Sequence, residues 1–387
     1  MSTQHFPTSF GIFLAPFHKI GVSPTVLFER DLAMIEMADQ LGFQEAWLGE
    51  HHSGGHEPIG SPEMMLAAVS RTTRNIKLGT AVNSLPYHNP FLLAERLVML
   101  DHLTHGRAIM GFGPGQLITD AHMLGIDPAT QRDRMLEAAD VIMRLLRGET
   151  VTEKTDWYDL RDAKLQLRPY SLPELEVVVA AVTSPTGPVT AGRLGIGMIN
   201  LSASSPAAFE ALRTHWRIAE KEAANHGRTV DRKNWRLSAI THIAETEEQA
   251  REDCTHGFEE IWNYLAHISP LPASEKPDVE GMIDEAIESG SILVGTPDTA
   301  IDLIRKLADQ TGGFGSFVMT LTDFTTFEKQ KRAVELCAEY VIPEFRGQLK
   351  PVREHNAWVR ANEWKTETMA AINAASEKYA NQATTAR

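Results

Sequence analysis

Residues 76–115 read IKLGTAVNSLPYHNPFLLAERLVMLDHLTHGRAIMGFGPG. Ile76 to Leu85 has strand character, Leu92 to Leu103 carries apolar residues at helical spacing, and Ala108 to Phe112 is a second short apolar run, closed by the glycine-rich GFGPG. Strand, helix and strand in that order make one unit of a parallel sheet, since parallel neighbours need a crossover between them. The unit repeats outward in both directions. Upstream lie a first strand at Phe10 to Phe17 (FGIFLAPF), a helix over Val26 to Leu41, a second strand at Ala46 to Gly49 and a helix around Glu63 to Arg71. Downstream come a helix near Arg134 to Leu146 and strands at Glu176 to Ala181, Gly197 to Leu201, Leu237 to Ile243 and Ser316 to Leu321. Eight strands with intervening helices predict an α/β fold, a (β/α)8 TIM barrel, with an open doubly wound sheet as the alternative.

The barrel is expected over residues 1–346. Two segments interrupt the rhythm: 151–169, polar with Trp157 and Tyr158, reads as a hairpin insertion, and 267–290, rich in Pro, Ser and acids, reads as a mobile lid before the last strand. Residues 347–387 read as a C-terminal helical extension, with Trp358, Val359, Trp364, Met369 and Ile372 at helix-compatible spacing, docking on its own barrel or on a second subunit.

Composition narrows the function. The chain has 387 residues, 43% of them hydrophobic, and 37 basic against 51 acidic side chains give a net charge of −14. So acidic a chain with no basic run is a poor partner for nucleic acid or anionic lipid. Cys254 and Cys337 lie outside any CxxC or metal-ligand spacing, which suits a reduced, cytoplasmic protein without disulfides. No leader pattern and no run of 18 apolar residues is present, so the chain reads as an unprocessed soluble protein.

In a parallel barrel, reactive groups collect where strands run into the following loops. That filter selects Glu50, His51, His52, His56 and Glu57 in the string EHHSGGHE after the second strand. It selects Asn83 and Ser84 after the third, GFGPG after the fourth, Thr183 and Ser184 after the fifth, and Ser202 and Ser204 after the sixth. The histidines and glutamates invite a metal reading. Against it, the first strand ends in Ala15, Pro16 and Phe17, the fifth in Thr183 and Ser184, and His242 is the one outlying ligand candidate, so no metal site is expected. Thr183 and Ser184 stand where a helix begins, which makes them either an anion cradle on free N–H groups or an ordinary cap.

Five strings in order resemble the luciferase-like flavin-dependent monooxygenases (the bacterial luciferase superfamily), a family of (β/α)8 barrels: LGFQEAWLGEHH, IKLGTAVNSLPYHNP, LDHLTHGRAIMGFGPG, VVVAAVTSPT and VGTPDTAIDLI. The resemblance covers about Ser9 to Phe345 and is most similar to the terpene-oxidising, limonene 1,2-monooxygenase type. It implies that His51 is the histidine beside the flavin ring that handles the oxygen-bearing cofactor. Ala81 and Val82 match a ring-side pair often joined by a cis peptide, with Asn83 and Gly113 next to it. Thr183 and Ser184 match the phosphate loop, and Arg132 or Arg134 the arginine that reaches it. Some relatives have an arginine where this chain has Pro114, so FMN and FAD both stay open. Phe13, Phe17 and Met110 would line the substrate pocket.

What the resemblance implies is oxidation of a small apolar substrate by reduced flavin and O2, a monoterpene epoxidation. NAD(P)H would act indirectly through a separate flavin reductase, as no dinucleotide fingerprint is present. A homodimer is expected. The competing readings are Baeyer–Villiger oxidation of a cyclic ketone, a deazaflavin-dependent dehydrogenase on the same barrel, a non-catalytic flavoprotein and a metal-dependent hydrolase.

Overall fold

The computed structural model describes residues 6–15, 17–268 and 274–385. Eight strands form the barrel: β1 (Ser9–Leu14), β2 (Glu45–Leu48), β3 (Lys77–Thr80), β4 (Ala108–Gly113), β5 (Glu176–Ala181), β6 (Gly197–Asn200), β7 (Trp235–Ile243) and β8 (Ser316–Leu321). Each pairs in parallel with the next, and β8 returns to β1 with Ser9 opposite Ser316 and Leu14 opposite Leu321. The ring is closed, so the open-sheet alternative falls away.

The apolar run from Ile76 to Leu85 is two strands, not one. β3 stops at Thr80, the Ala81–Val82 peptide is cis, and the two-residue strand Asn83–Ser84 pairs further along β4, opposite Phe112 and Gly113. β7 is long enough to pair with β6 and β8 at its start and with the short strand Leu293–Gly295 at its end. The helix Pro90–Leu103 starts where Asn89 accepts from the N–H groups of Phe91 and Leu92 and Pro90 occupies the first turn.

Alternation along the strands puts every second side chain inside the barrel. At the amino end Arg236 donates to Glu45 at 2.9 Å and also bonds Glu176, while Ser316 and the Trp47 indole N–H donate to Glu45 at 3.3 and 3.2 Å. An apolar layer of Phe13, Trp47, Ile109, Val178, Ile199 and Val318 lies above that ionic floor. Gly79 and Gly111 make room for it: a Cβ on the first would fall on the Trp47 ring, and on the second on the Thr80 carbonyl. The barrel is therefore plugged from its amino end to its middle, which leaves the carboxyl end for a site.

The insertion is an antiparallel hairpin, Val151–Lys154 against Asp159–Ala163. Of the segment expected as a lid, 269–273 lie outside the described residues. Most of the remainder is a helix, Val279–Glu288, whose Met282, Ile283 and Ala286 are buried with Phe258, Trp262 and Phe324. The chain divides into two compact units, the first ending at Val341 and the second beginning at Ile342. The second unit consists of the helices Ile342–Phe345, Leu349–Ala361 and Trp364–Thr385, with an Arg353–Glu344 ion pair at 2.8 Å and the Trp358 and Trp364 rings 5.0 Å apart. Among the described residues no helix is long and apolar enough to cross a membrane. Both cysteines are free and buried.

Candidate active site

β2 delivers the chain into a loop pinned by the His51 N–H donating to the Ile59 carbonyl at 3.0 Å. There the His51 ring lies between two buried carboxylates, with Nε2 3.0 Å from Glu57 Oε2 and Nδ1 3.3 Å from Asp120 Oδ2. Asp120, on the helix Ile118–Met123, is itself fixed, accepting from the His52 N–H at 3.1 Å and from the Ser53 hydroxyl. Burial opposes a charge on His51, but hydrogen bonds and Coulomb attraction from Asp120 and Glu57 overcome it and push the pKa up to about 9. Both ring nitrogens are then donors. At neutral pH this side chain is an imidazolium that can give a proton but has no lone pair to take one.

A second cluster adjoins it. Glu50 is buried and faces His52 Nε2 at 3.2 Å, His88 Nε2 at 3.0 Å and the Asn83 amide at 3.2 Å. Burial raises its pKa, but these donors prevail and hold it near 2, so it stays ionised. Arg96 donates to His88 Nδ1 at 3.2 Å, which leaves Nε2 as the nitrogen that donates to Glu50. Both hydrogens of the Asn83 amide are spent on Glu50 and Glu63, and its Oδ1 is buried without a partner among the described residues. A third imidazole, His18, lies between Asp31 and Asp323 at 3.1 Å each, its pKa also raised to about 9. The His56 ring, donating to the His18 carbonyl at 2.8 Å, links it to the β2 loop.

The other candidates fall as follows. Gly113 is packed against Val82: a Cβ there would meet the Val82 methyls at 3.1 Å. Ser184 Oγ accepts the first N–H of the helix Thr186–Leu194 at 3.3 Å, and Thr183 is exposed. Arg132 is exposed. Arg134 reaches Asp156 at 3.4 Å and stacks on Trp157, while its Nε is buried without a partner among the described residues. Phe13 belongs to the interior layer, and Phe17 packs beside it with Ala180 and Leu201. Met110 is a correction. Its neighbours Ile109 and Gly111 face inward, against Trp47, so Met110 points outward to the helices and does not line the mouth.

Of three partners in the His51 environment, one was selected from the sequence without its role and two carried no distinguishing signal. Glu57 stands in the quoted EHHSGGHE string without anything marking it as a partner of His51. Asp120 reads as one more acid on a short helix. Tyr264, whose hydroxyl donates to Glu57 at 2.9 Å, reads as one position of an amphipathic helix, Phe258–Ile268.

The family model described as luciferase-like monooxygenase matches residues 8–313. The chain is 48% identical to limonene 1,2-monooxygenase of Rhodococcus erythropolis, over 96% of this chain and 95% of that one. It is 42% identical to 4-hydroxyprotoasukamycin monooxygenase of Streptomyces nodosus subsp. asukaensis, over 91% and 96%. Among solved structures, the oxygenating constituent of the 3,6-diketocamphane monooxygenase of Pseudomonas putida, a type II Baeyer–Villiger enzyme in complex with FMN, superposes with a TM-score of 0.72. That match has 24% identity over 87% of this chain and 98% of that one.

Proposed function

Because the chain belongs to the luciferase-like monooxygenase family and is a flavin-dependent monooxygenase, we propose that it uses reduced flavin and O2 to epoxidise a small cyclic monoterpene such as limonene. The observation that carries the proposal is the placing of His51 between Glu57 and Asp120, in the loop that follows β2 at the carboxyl end of the barrel. The terpene rests on the limonene enzyme, the nearest in identity of the relatives named above.

The residues fit a flavin. Phe13, Ala15, Ala81, Ala180 and Leu201 give an apolar surface for a flat ring, and the partnerless Asn83 Oδ1 is an acceptor for a ring N–H. Thr183, Ser184 and the amino end of the helix Thr186–Leu194 would hold a phosphate on N–H groups and hydroxyls. Arg134, with its free buried Nε, is the arginine we assign to that phosphate in preference to the exposed Arg132. Such local neutralisation lets a chain of net charge −14 hold an anion. Reduced flavin supplies the electrons and the point of reaction with O2.

The chain's own residues divide the remaining work. His51, with one ring nitrogen on Glu57 and the other on Asp120, holds a positively charged ring beside the site of oxygen transfer, where it stabilises developing negative charge. Phe13 and Phe17 hold the hydrocarbon. The helix Phe258–Ile268, tied to the β1 and β2 loops by Glu260 accepting the Ile20 N–H at 2.9 Å and by Tyr264, keeps water from that side. A separate reductase supplies reduced flavin from NAD(P)H, a reading supported by the naming of the diketocamphane protein as an oxygenating constituent. The enzyme works as a homodimer, and the exposed Met64, Leu92, Met99 and Leu103 are apolar surface for it to cover.

The test offers chemically reduced FMN and FAD, in air, with cyclic monoterpenes and cyclic ketones. An epoxide supports the proposal, a lactone replaces it with Baeyer–Villiger oxidation, and no oxygenated product with either flavin overturns it.

A further inference from the structure

Tyr264 lies far from the β2 loop in sequence, on the helix Phe258–Ile268, yet its hydroxyl donates to Glu57 Oε1 at 2.9 Å while Glu57 Oε2 meets His51 Nε2 at 3.0 Å. Glu57 is buried, and among the described residues each of its oxygens has one partner at hydrogen-bond distance. The chain makes way for this contact. Gly54 has φ of 87°, and a Cβ there would fall on the Tyr264 hydroxyl. The Tyr264 ring also packs on His56 at 4.4 Å between centroids, which sets the direction of the phenol.

We propose that Tyr264 is a positioning residue: its hydroxyl fixes the Glu57 carboxylate against His51 Nε2, so the helix Phe258–Ile268 governs whether His51 keeps both of its carboxylate partners. The inference rests on the assignment of His51 to the reaction made above. Without the phenol O–H, Glu57 Oε1 is a buried acceptor with no donor among the described residues, and the carboxylate turns away from His51. That strips His51 of one of its two counter-charges and leaves Asp120. The other charged and titratable groups around the chain of contacts are His52 and His56 in the same loop, Glu260 on the helix of Tyr264, 4.0 Å from His56, and His18 and Lys19 after β1.

The test is a titration of the ring nitrogens of His51 by NMR in the full-length protein labelled with 15N-histidine, assigned by comparison with His51→Gln. Tyr264→Phe keeps the ring packing on His56 and removes one hydroxyl. It is expected to lower the His51 midpoint by about one pH unit, the size of a single hydrogen bond to a charged group. Gly54→Ala, which fills the space of the hydroxyl, is expected to move it the same way, and Glu57→Gln to set the full extent of the loss. Thermal unfolding establishes that each variant is folded. A His51 midpoint unchanged in folded Tyr264→Phe overturns the inference. The titration needs no turnover, so a failed oxygenation assay with an intact Tyr264 effect would count against the proposed function alone.

Discussion

His51 is held between two buried carboxylates, and their attraction favours its protonated form. With Glu57 on one nitrogen and Asp120 on the other, the ring can neither rotate nor shed its charge cheaply near neutral pH. Replacing it with Gln keeps a neutral donor for one of the two carboxylates but removes the charge and the titratable proton. Epoxide formation with reduced flavin is expected to fall by roughly 10²–10⁴, while flavin affinity, measured by fluorescence quenching, stays within a few-fold. Unchanged turnover in His51→Gln would remove the histidine from the reaction. Asn83 differs in kind. Its amide orientation is fixed by Glu50 and Glu63, which leaves Oδ1 buried with no hydrogen-bond partner among the described residues.

Among the elements, β1 and β8 are joined through His18, which ties the loop after β1 to Asp31 on the helix Pro24–Gln40 and to Asp323 after β8. Its pKa is raised from 6.5 to about 9, so the stability it confers is fully present below pH 6.5 and is lost as pH rises through 9. His51 acts in the same window and the same direction. Glu50 is lowered from 4.5 to about 2, so its contribution is present above pH 4.5 and is lost as pH falls through 2. Maximal stability is expected between about pH 4.5 and 6.5, with a loss on the order of a few kcal/mol toward pH 9 to 10 that is smaller in His18→Gln. A melting temperature flat from pH 6 to 10 in the parent would contradict it.

The barrel floor makes a second expectation at this scale. Arg236→Met leaves Glu45 buried without its ion pair and should cost about 3–5 kcal/mol in denaturant unfolding. A loss under about 1 kcal/mol would mean the floor relaxes around the gap. The elements themselves were largely legible in the sequence, because strands buried on both faces read as short apolar runs such as FGIFLAPF and SFVMTL. The break at Ala81–Val82 was not, since Ile76 to Leu85 is apolar enough to pass for one strand and apolarity does not register a cis peptide. Met110 shows a limit of another kind: an apolar residue near a strand end has the right chemistry for a pocket, and only strand parity turns it outward. In the site, EHHSGGHE brought His51 and Glu57 into view together, whereas Asp120 and Tyr264 reach His51 only through tertiary folding of loops far apart in the chain.

At the scale of the molecule, a barrel plugged at its amino end by charge and in its middle by aromatic and aliphatic side chains has one end left for chemistry. That end holds an apolar surface, the start of the helix Thr186–Leu194 and the cluster of His51, Glu57 and Asp120. The most direct test is mass analysis of the product formed from limonene, chemically reduced flavin and 18O2 in ordinary water. An epoxide carrying one 18O atom, formed by the parent and nearly absent with His51→Gln, is the predicted result. A product whose oxygen comes from water, or substrate oxidation that proceeds without O2 on a deazaflavin, would contradict it.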